Sequence, residues 1–404
     1  MNGMQKSLRP VEINDLVDRL TNGYVGPTRD IYKETGVPYL LAKHVKNNRL
    51  EFDHATFISE EFNEKNSKSK LLENDVLLVQ TGHIGSSAVV PKLHEGHNCH
   101  AMIVITPKHD RVNARYMSYY FNSNYGKQMF QRIQTGATLK HLNCRDVRKL
   151  KVPIPTLFEQ TRIADILDKA GCIRDKRLSS LVEFDTINSA VFNDMFSAEL
   201  QNAEWRDLQE YIIELRYGTS KKSEPSGLPV LRIPNVVRSV LDIENLKTVS
   251  VGPAELDRIR LKKGDILFVR TNGNPNYVGR SAVFDPVQFQ ERGMDGQNVV
   301  FASYLIRCRL HLDQLRPFFL QTYLQTSTGR RNVREKCRTS AGQYNINTKG
   351  LGSLQIPTID IKKQIEFEKK VESIREARQK YAVAYQESSE LFNSLVQSAF
   401  KGEL

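Results

Sequence analysis

The chain has few cysteines, five in 404 residues. They are Cys99, Cys144, Cys172, Cys308 and Cys337, an odd number with no CxxC pair. That spacing excludes a disulfide framework and fits reduced thiols in a cytosolic protein. Long apolar runs are also missing. None approaches the ~18 residues that a membrane span needs. The longest, such as AMIVI at 101–105, read as buried strands. The opening MNGMQKSLRPVEINDL lacks the apolar core of a secretory leader. A cytoplasmic location without membrane contact is therefore expected.

Catalytic signatures are absent too. There is no Walker A loop, which excludes helicase and translocase activity. There is no GxSxG, and no Cys or Ser stands out beside a His. Nuclease chemistry needs clustered acids with a Lys, and no D…ExK spacing supplies them. Two local groups come closer. HEGHNCH at 94–100 gathers His94, His97, Cys99 and His100, residue types that suit zinc. The matching stretch of the second half, GMDGQNVV, has no His or Cys, so a polar loop without metal is expected. Asn274-Pro275-Asn276-Tyr277 is similar to the Asn-Pro-Pro-Tyr signature of adenine methyltransferases, where a polar side chain holds a flipped adenine. Its third residue is Asn, and no Gly-rich strand–turn–helix unit for S-adenosylmethionine precedes it. A Gly/Asn/Pro turn is the simpler reading. A basic chain of this length without a catalytic set reads as a binding protein, not an enzyme.

What the chain does have is charge of one sign in two places. The net charge is +12. Residues 1–156 carry 22 Lys and Arg against 15 Asp and Glu, and residues 201–357 carry 23 against 15. Residues 157–200 are net acidic and residues 358–404 are balanced. Two basic blocks suggest two contacts with a polyanion, most simply nucleic acid. Plain solubility is the alternative.

The chain also repeats itself. VPIPTLFEQTRIADIL from Val152 and IPTIDIKKQIEFEKKV from Ile356 share an offset of 204 residues at their prolines and glutamines. The same offset pairs Asn143 with Asn347, Leu150 with Leu354, Arg174 with Arg378 and Phe196 with Phe400. Upstream, VPYLLAKHV resembles LPVLRIPNV, ENDVLLVQTG resembles KGDILFVRTN, and GSSAVV resembles GRSAVF, in the same order. Each half reads as a mixed α/β block followed by a long helix. DVLLVQT, DILFVRT, MIVIT and VVFASYLIRC are strand candidates. MSYYFNSNYGKQMFQRI and LRPFFLQTYLQTSTGRRNVRE are helix candidates in matching places. Pro153, Pro155 and Pro357 keep the last stretch of each block extended.

Beyond the prolines the apolar period becomes helical, through Ile163, Ile166, Ala170 and Ile173 in one copy and Ile374, Ala377, Tyr381, Ala384, Leu391 and Leu395 in the other. Helices of roughly 35–40 residues would span roughly 50–60 Å. A single apolar stripe of that length wants a partner helix. The other copy, packed antiparallel about a pseudo-twofold axis, is the expected partner. Pairing with another chain is the competing arrangement.

The loops after matching strands are the candidate contact sites. They are Thr81 to Gly85, with His83, and Arg270 through Thr271, Asn272 and Asn274. Lys43 and His44 answer to Arg232 and Asn235. Thr138, Leu139, Lys140 and His141 answer to Gln343, Tyr344 and Asn345. These side-chain types read base edges in the major groove, and they sit where the halves differ most. Ordinary solvated loops are the plainer alternative. Arg330, Arg331, Arg334, Lys336 and Arg338 suit phosphate contact, which orients without specifying.

Two variable blocks alternating with two similar helices, each entered through a proline and a glutamine, resemble the specificity (S) subunits of Type I restriction–modification enzymes. VPIPTLFEQTRIADILDKA with FNDMF, and IPTIDIKKQIEFEKKV with SAF, carry the likeness across essentially the whole chain. The resemblance implies a DNA-binding subunit without catalytic activity. Residues 1–156 and 201–357 would be two target recognition domains, each reading half of a split double-stranded site. Residues 157–200 and 358–404 would be a coiled-coil spacer. It implies two modification subunits, which carry S-adenosylmethionine and methylate adenine, and restriction subunits, which use ATP and Mg. The junctions Pro153, Glu159, Gln160, Pro357 and Gln364 would dock these partners. The second junction departs from the pattern with Lys363 in place of Glu159 and Ile359 in place of Pro155. Other readings stay open: a specificity-like subunit of another phage-defence or Type II system, a methyltransferase using Asn274–Tyr277, and a coiled-coil scaffold with incidental charge.

Overall fold

Asp75 and Asp265 each open an apolar run after a turn. The preceding Asn74 and Gly264 take φ of +66° and +88°, the left-handed region that Gly and Asn enter most readily. The runs become strands Val76–Val79 and Ile266–Val269, buried at every position. Alternation explains why all four residues are apolar. Val76 and Leu78 face one apolar cluster, and Leu77 and Val79 face another. Ile266 and Phe268 divide from Leu267 and Val269 in the same way. Asp75 anchors its turn by accepting from Leu72 N (2.8 Å) and Thr106 Oγ1 (2.6 Å), and Asp265 accepts from Lys262 N at 2.8 Å.

The computed structural model describes residues 10–46, 48–52, 56–134, 140–238, 240–290, 292–340 and 342–404, without the side chains of Asp185 and Ser340. Internal contacts divide the chain into two units, Met1–Leu178 with Val383–Leu404, and Ser179–Ala382. In the first unit an antiparallel sheet runs in the order Val17–Asn22, Met102–Pro107, Val76–Val79, Ser87–Val89. In the second the order is Ile212–Tyr217, Leu305–Leu310, Ile266–Val269, Ser281–Val283. Each unit adds a three-stranded sheet with one parallel pair, Val37–Leu40 beside Asn98–Cys99 and Leu228–Leu231 beside Val300–Phe301. Each also pairs a short strand with its proline-bearing strand, Pro10–Glu12 with Lys151–Pro153 and Trp205–Asp207 with Gln355–Pro357. The sequence repeat is thus a repeat of topology.

Three expected elements are interrupted. VVFASYLIRC is two strands, Val300–Phe301 and Leu305–Leu310. The two helix candidates each break at a hydroxyl cap. Ser123 Oγ accepts from Gly126 N (3.2 Å) to start Asn124–Gln131, and Thr326 Oγ1 accepts from Gly329 N (3.1 Å) to start Ser327–Lys336.

The long helices are Leu157–Leu200 and Ile361–Lys401, 44 and 41 residues, longer than the periodicity suggested. Each contributes its first part to one unit and its last part to the other. In the first unit, Arg162 donates to the Leu404 carbonyl (2.6 Å), and the Arg174 guanidinium lies 4.4 Å from the Phe392 ring centre. In the second, Phe184 meets Tyr381 at 5.3 Å and Phe192 meets Phe367 at 5.5 Å. Within each unit the two segments therefore run antiparallel. Phe192 and Phe196 sit in the core of the second unit, and Phe392, Ala399 and Phe400 in that of the first. Leu391, expected on the apolar stripe, is exposed, because the block meets the neighbouring Phe392 face.

Candidate nucleic-acid interface and helix junctions

In the second unit several predicted residues converge. The strand end Thr271–Asn272 pairs with Gln343–Asn345, which pairs in turn with Arg338–Ser340. Asn272 lies opposite Tyr344, and Thr271 Oγ1 donates to Gln343 Oε1 at 3.0 Å. Ile346 N donates to the Arg270 carbonyl at 2.9 Å. The first unit repeats this last bond with Leu142 N and the Gln80 carbonyl, 3.0 Å. Exposed Lys140 and His141 are thereby held beside exposed Thr81 and His83. Thr138 and Leu139 lie outside the described residues.

Arginines surround the loop that follows in the second unit. Asn274 Oδ1 accepts from Asn276 N (2.9 Å), so its carboxamide is engaged in its own turn. Arg330 donates to the carbonyls of Asn276 (3.2 Å) and Val278 (2.8 Å), and Arg334 donates to Asn276 Oδ1. Arg280 donates to Val237 O (3.1 Å) and lies 4.7 Å from the Tyr277 ring centre. Arg270 lies 4.8 Å from the ring of Tyr217. Arg331 and Arg338 are exposed. No described carboxylate pairs with any of these arginines. Burial and the nearby charges of Arg280 and Arg334 push the Arg330 guanidinium below its usual range. Guanidiniums crowded in this way give the surface around the loop a local positive field. Sequence reasoning missed Arg280 and Tyr217. Comparing GRSAVF with GSSAVV could have found Arg280, whereas Tyr217 carries no sequence signal.

Two predicted contact residues have another role. His44 and Asn235 are each 3 % exposed. His44 Nδ1 accepts from Leu41 N (3.1 Å), and Asn235 Oδ1 accepts from Arg232 N (2.9 Å). Both ends of a repeated turn are tied by a side chain facing inward, which keeps it from base edges. Lys43 is exposed, and Arg232 donates to Asn245 O at 3.3 Å.

The junction glutamines are also internal. Gln160 is 0 % and Gln364 1 % exposed. Gln160 Oε1 accepts from Asn113 N (2.8 Å), and its Nε2 donates to the carbonyls of Arg111 and Pro155 (3.0 Å each). Gln364 accepts from Arg316 N (2.9 Å) and donates to Ile359 O (2.8 Å). Each locks the start of a long helix to its own block, a structural role where partner contact was expected. Pro357 is buried, and the Pro153 carbonyl accepts from Tyr116 (3.0 Å). What faces solvent is Phe158, 79 % exposed, at the first junction, and Lys362 and Lys363 at the second. Glu159 pairs with Arg162 at 2.6 Å, and Lys363 with Glu199.

Among the described residues no group of three or more His, Cys, Asp and Glu is arranged to hold a metal. His94 and His97 instead face each other, Nδ1 to Nδ1 at 3.2 Å. Burial lowers the pKa of His94, His97 and His100, and His94 lowers that of His97 further. Folding thus favours their neutral forms, so this stability is complete above the unfolded value of about 6.5 and is lost as pH falls below it. Urea unfolding between pH 8 and 5.5 is expected to show the first unit weakening with acid. The second unit, whose single histidine is His311, should change less. An acid response unchanged by His94→Gln with His97→Gln would refute this.

Residues 6–176 match the family described as the Type I restriction modification DNA specificity domain. The chain is 24 % identical over 398 residues to the Type I restriction enzyme EcoKI specificity subunit of Escherichia coli K12, covering 92 % of this chain and 83 % of that one. It is 23 % identical over 397 residues to the StySPI specificity subunit of Salmonella potsdam, covering 91 % and 82 %. Its fold matches the Type I restriction–modification S subunit from M. genitalium, with a TM-score of 0.58, 14 % identity, and 99 % and 98 % of the two chains covered. A second match, at TM-score 0.56 and 14 % identity over 100 % of both chains, comes from a structure of type I complex assembly. No helix among the described residues is long and apolar enough to cross a membrane.

Proposed function

We propose that the chain, which is similar to the specificity subunits of Type I restriction–modification enzymes, is likewise a non-catalytic component that recognises DNA. Its two units read the two halves of a split double-stranded DNA site. The long helices form the antiparallel coiled-coil spacer that sets the gap between halves. Two adenine-methylating modification subunits, carrying S-adenosylmethionine, dock on the chain, and restriction subunits using ATP and Mg join through them. Residues 1–156 and 201–357 are the recognition domains, and residues 157–200 and 358–404 the spacer.

One observation carries this reading. The same backbone bond, from Leu142 to Gln80 and from Ile346 to Arg270, closes the same strand end in both units. The side chains presented there differ, with Thr81, His83, Lys140 and His141 in one unit and Asn272, Asn274, Gln343 and Tyr344 in the other. A shared scaffold with unlike displays suits two readers of unlike sequences. Exposed Phe158 at one junction and Lys362 with Lys363 at the other support docking surfaces of unequal chemistry.

The test is a map of methylated adenines in host DNA with and without the gene. Loss of one motif made of two short halves around a fixed gap is expected. An unchanged map would overturn the assignment to a working modification enzyme.

A further inference from the structure

The two units carry alike scaffolds on which similar net charge is placed differently. Their caps align Ser123 with Thr326 and Gly126 with Gly329. One turn later, Phe130 and Val333 press on Gly85 and Gly279, where an added Cβ would meet them at 2.8 and 2.5 Å. Those glycines have φ of +87° and +72°. Gly85 N donates to Val79 O at 3.0 Å and Gly279 N to Val269 O at 2.8 Å. The correspondence is therefore geometric.

On this alignment Arg330, Arg331 and Arg334 stand where the first unit has Lys127, Gln128 and Gln131. Arg280 stands at Ser86, and Arg270 at Gln80. Five arginines occupy positions that hold one lysine in the first unit. Whole-block charge hides this, because both blocks are similarly basic. Three of the arginines are engaged in holding the Asn272–Arg280 loop, while Arg331 is exposed and has no carboxylate partner among the described residues. Arg338, on the strand that follows this helix, is exposed in the same way.

We propose that the second unit, besides reading its own half-site, is the electrostatic anchor on duplex DNA, with Arg331 and Arg338 on phosphates, and that the first unit reads bases while adding little to the salt-dependent affinity. The proposal rests on the DNA-reading function above and adds an order to it: encounter begins at the half-site of the second unit. Phosphate neutralisation releases counterions, so each lost contact makes the salt dependence shallower by about 0.9 in log–log slope. Such contacts orient the protein without carrying sequence information.

The experiment measures binding of the full chain, assembled with its modification subunits, to a duplex carrying the mapped motif and to a scrambled duplex. Salt is varied between about 50 and 200 mM, the range over which phosphate contacts dominate the change. Arg331→Gln with Arg338→Gln is expected to make the slope shallower by about 1.8 and to weaken binding roughly tenfold. The preference for motif over scrambled duplex should stay unchanged. Lys127→Gln with Lys140→Gln should move the slope less than half as far. Gln128→Arg with Gln131→Arg, which builds the second unit's pattern into the first, should steepen it. Equal slope changes from the two neutralising pairs would overturn the anchor assignment, as would a lost motif preference in the arginine pair. Wild-type binding that ignores both salt and motif would instead sink the DNA-reading function itself.

Discussion

Replacing Gln160 by leucine is expected to unfold the first unit well before the second. The side chain is fully buried and makes three hydrogen bonds, all to backbone. Leucine fills a similar space but leaves Asn113 N–H and the carbonyls of Arg111 and Pro155 without that partner. Each such group costs about 1–3 kcal/mol when buried, and partial access of water brings the sum to about 2–4 kcal/mol. That is a large share of the roughly 5–15 kcal/mol that holds a domain folded. Urea unfolding should split into two transitions, with only the first shifted. Gln160→Glu should be as harmful at neutral pH, because it sets an acceptor against two carbonyls. Its protonated form regains a donor, so acid should partly restore it. A single transition at the wild-type midpoint for both variants would refute the lock.

On the proposed function, exchanging residues 1–156 for the matching block of a Type I specificity subunit is expected to replace one half of the methylated motif entirely. The other half and the gap should stay as they were. The packing sets a condition on the exchange. Phe400 meets Tyr116 and Tyr120 at ring distances of 5.4 and 5.2 Å, and Phe392 meets Tyr119 at 6.3 Å. A graft of residues 1–156 alone must present an equivalent aromatic face to residues 383–404. A graft that lacks it should lose the first unit and all motif methylation. Including residues 157–178 and 383–404 of the donor should restore it. Methylation mapping reads both outcomes, and a change in both halves would count against independent readers.

The repeat was legible because it rests on local pattern. Short continuous apolar runs set the central strands, proline set the junctions, and Asn74 and Gly264 marked matching turns. The arginines at 330, 331 and 334 were visible as a cluster for the same reason. Other assignments depended on which way a side chain turns. Glutamine is seldom fully buried, so Gln160 and Gln364 read as surface contacts until backbone groups some 50 residues upstream were seen to surround them. His44 and Asn235 were chosen as base readers by type, yet the turn they close draws them inward.

By itself the sequence determined that the chain is two copies of one scaffold, that each copy ends in a long helix, and that the basic charge sits in the blocks. These follow from periodicity and composition, which are properties of neighbours along the chain. Only the tertiary structure decided which segments make a unit. Phe196 and Phe400 occupy the same place in the repeat, yet the helix carrying each completes the core of the other copy's block. The physical reason is the antiparallel pairing within each unit. A helix that runs back along its partner brings its last turns to the block where that partner began, and apolar burial there is decided by contacts that no local pattern records.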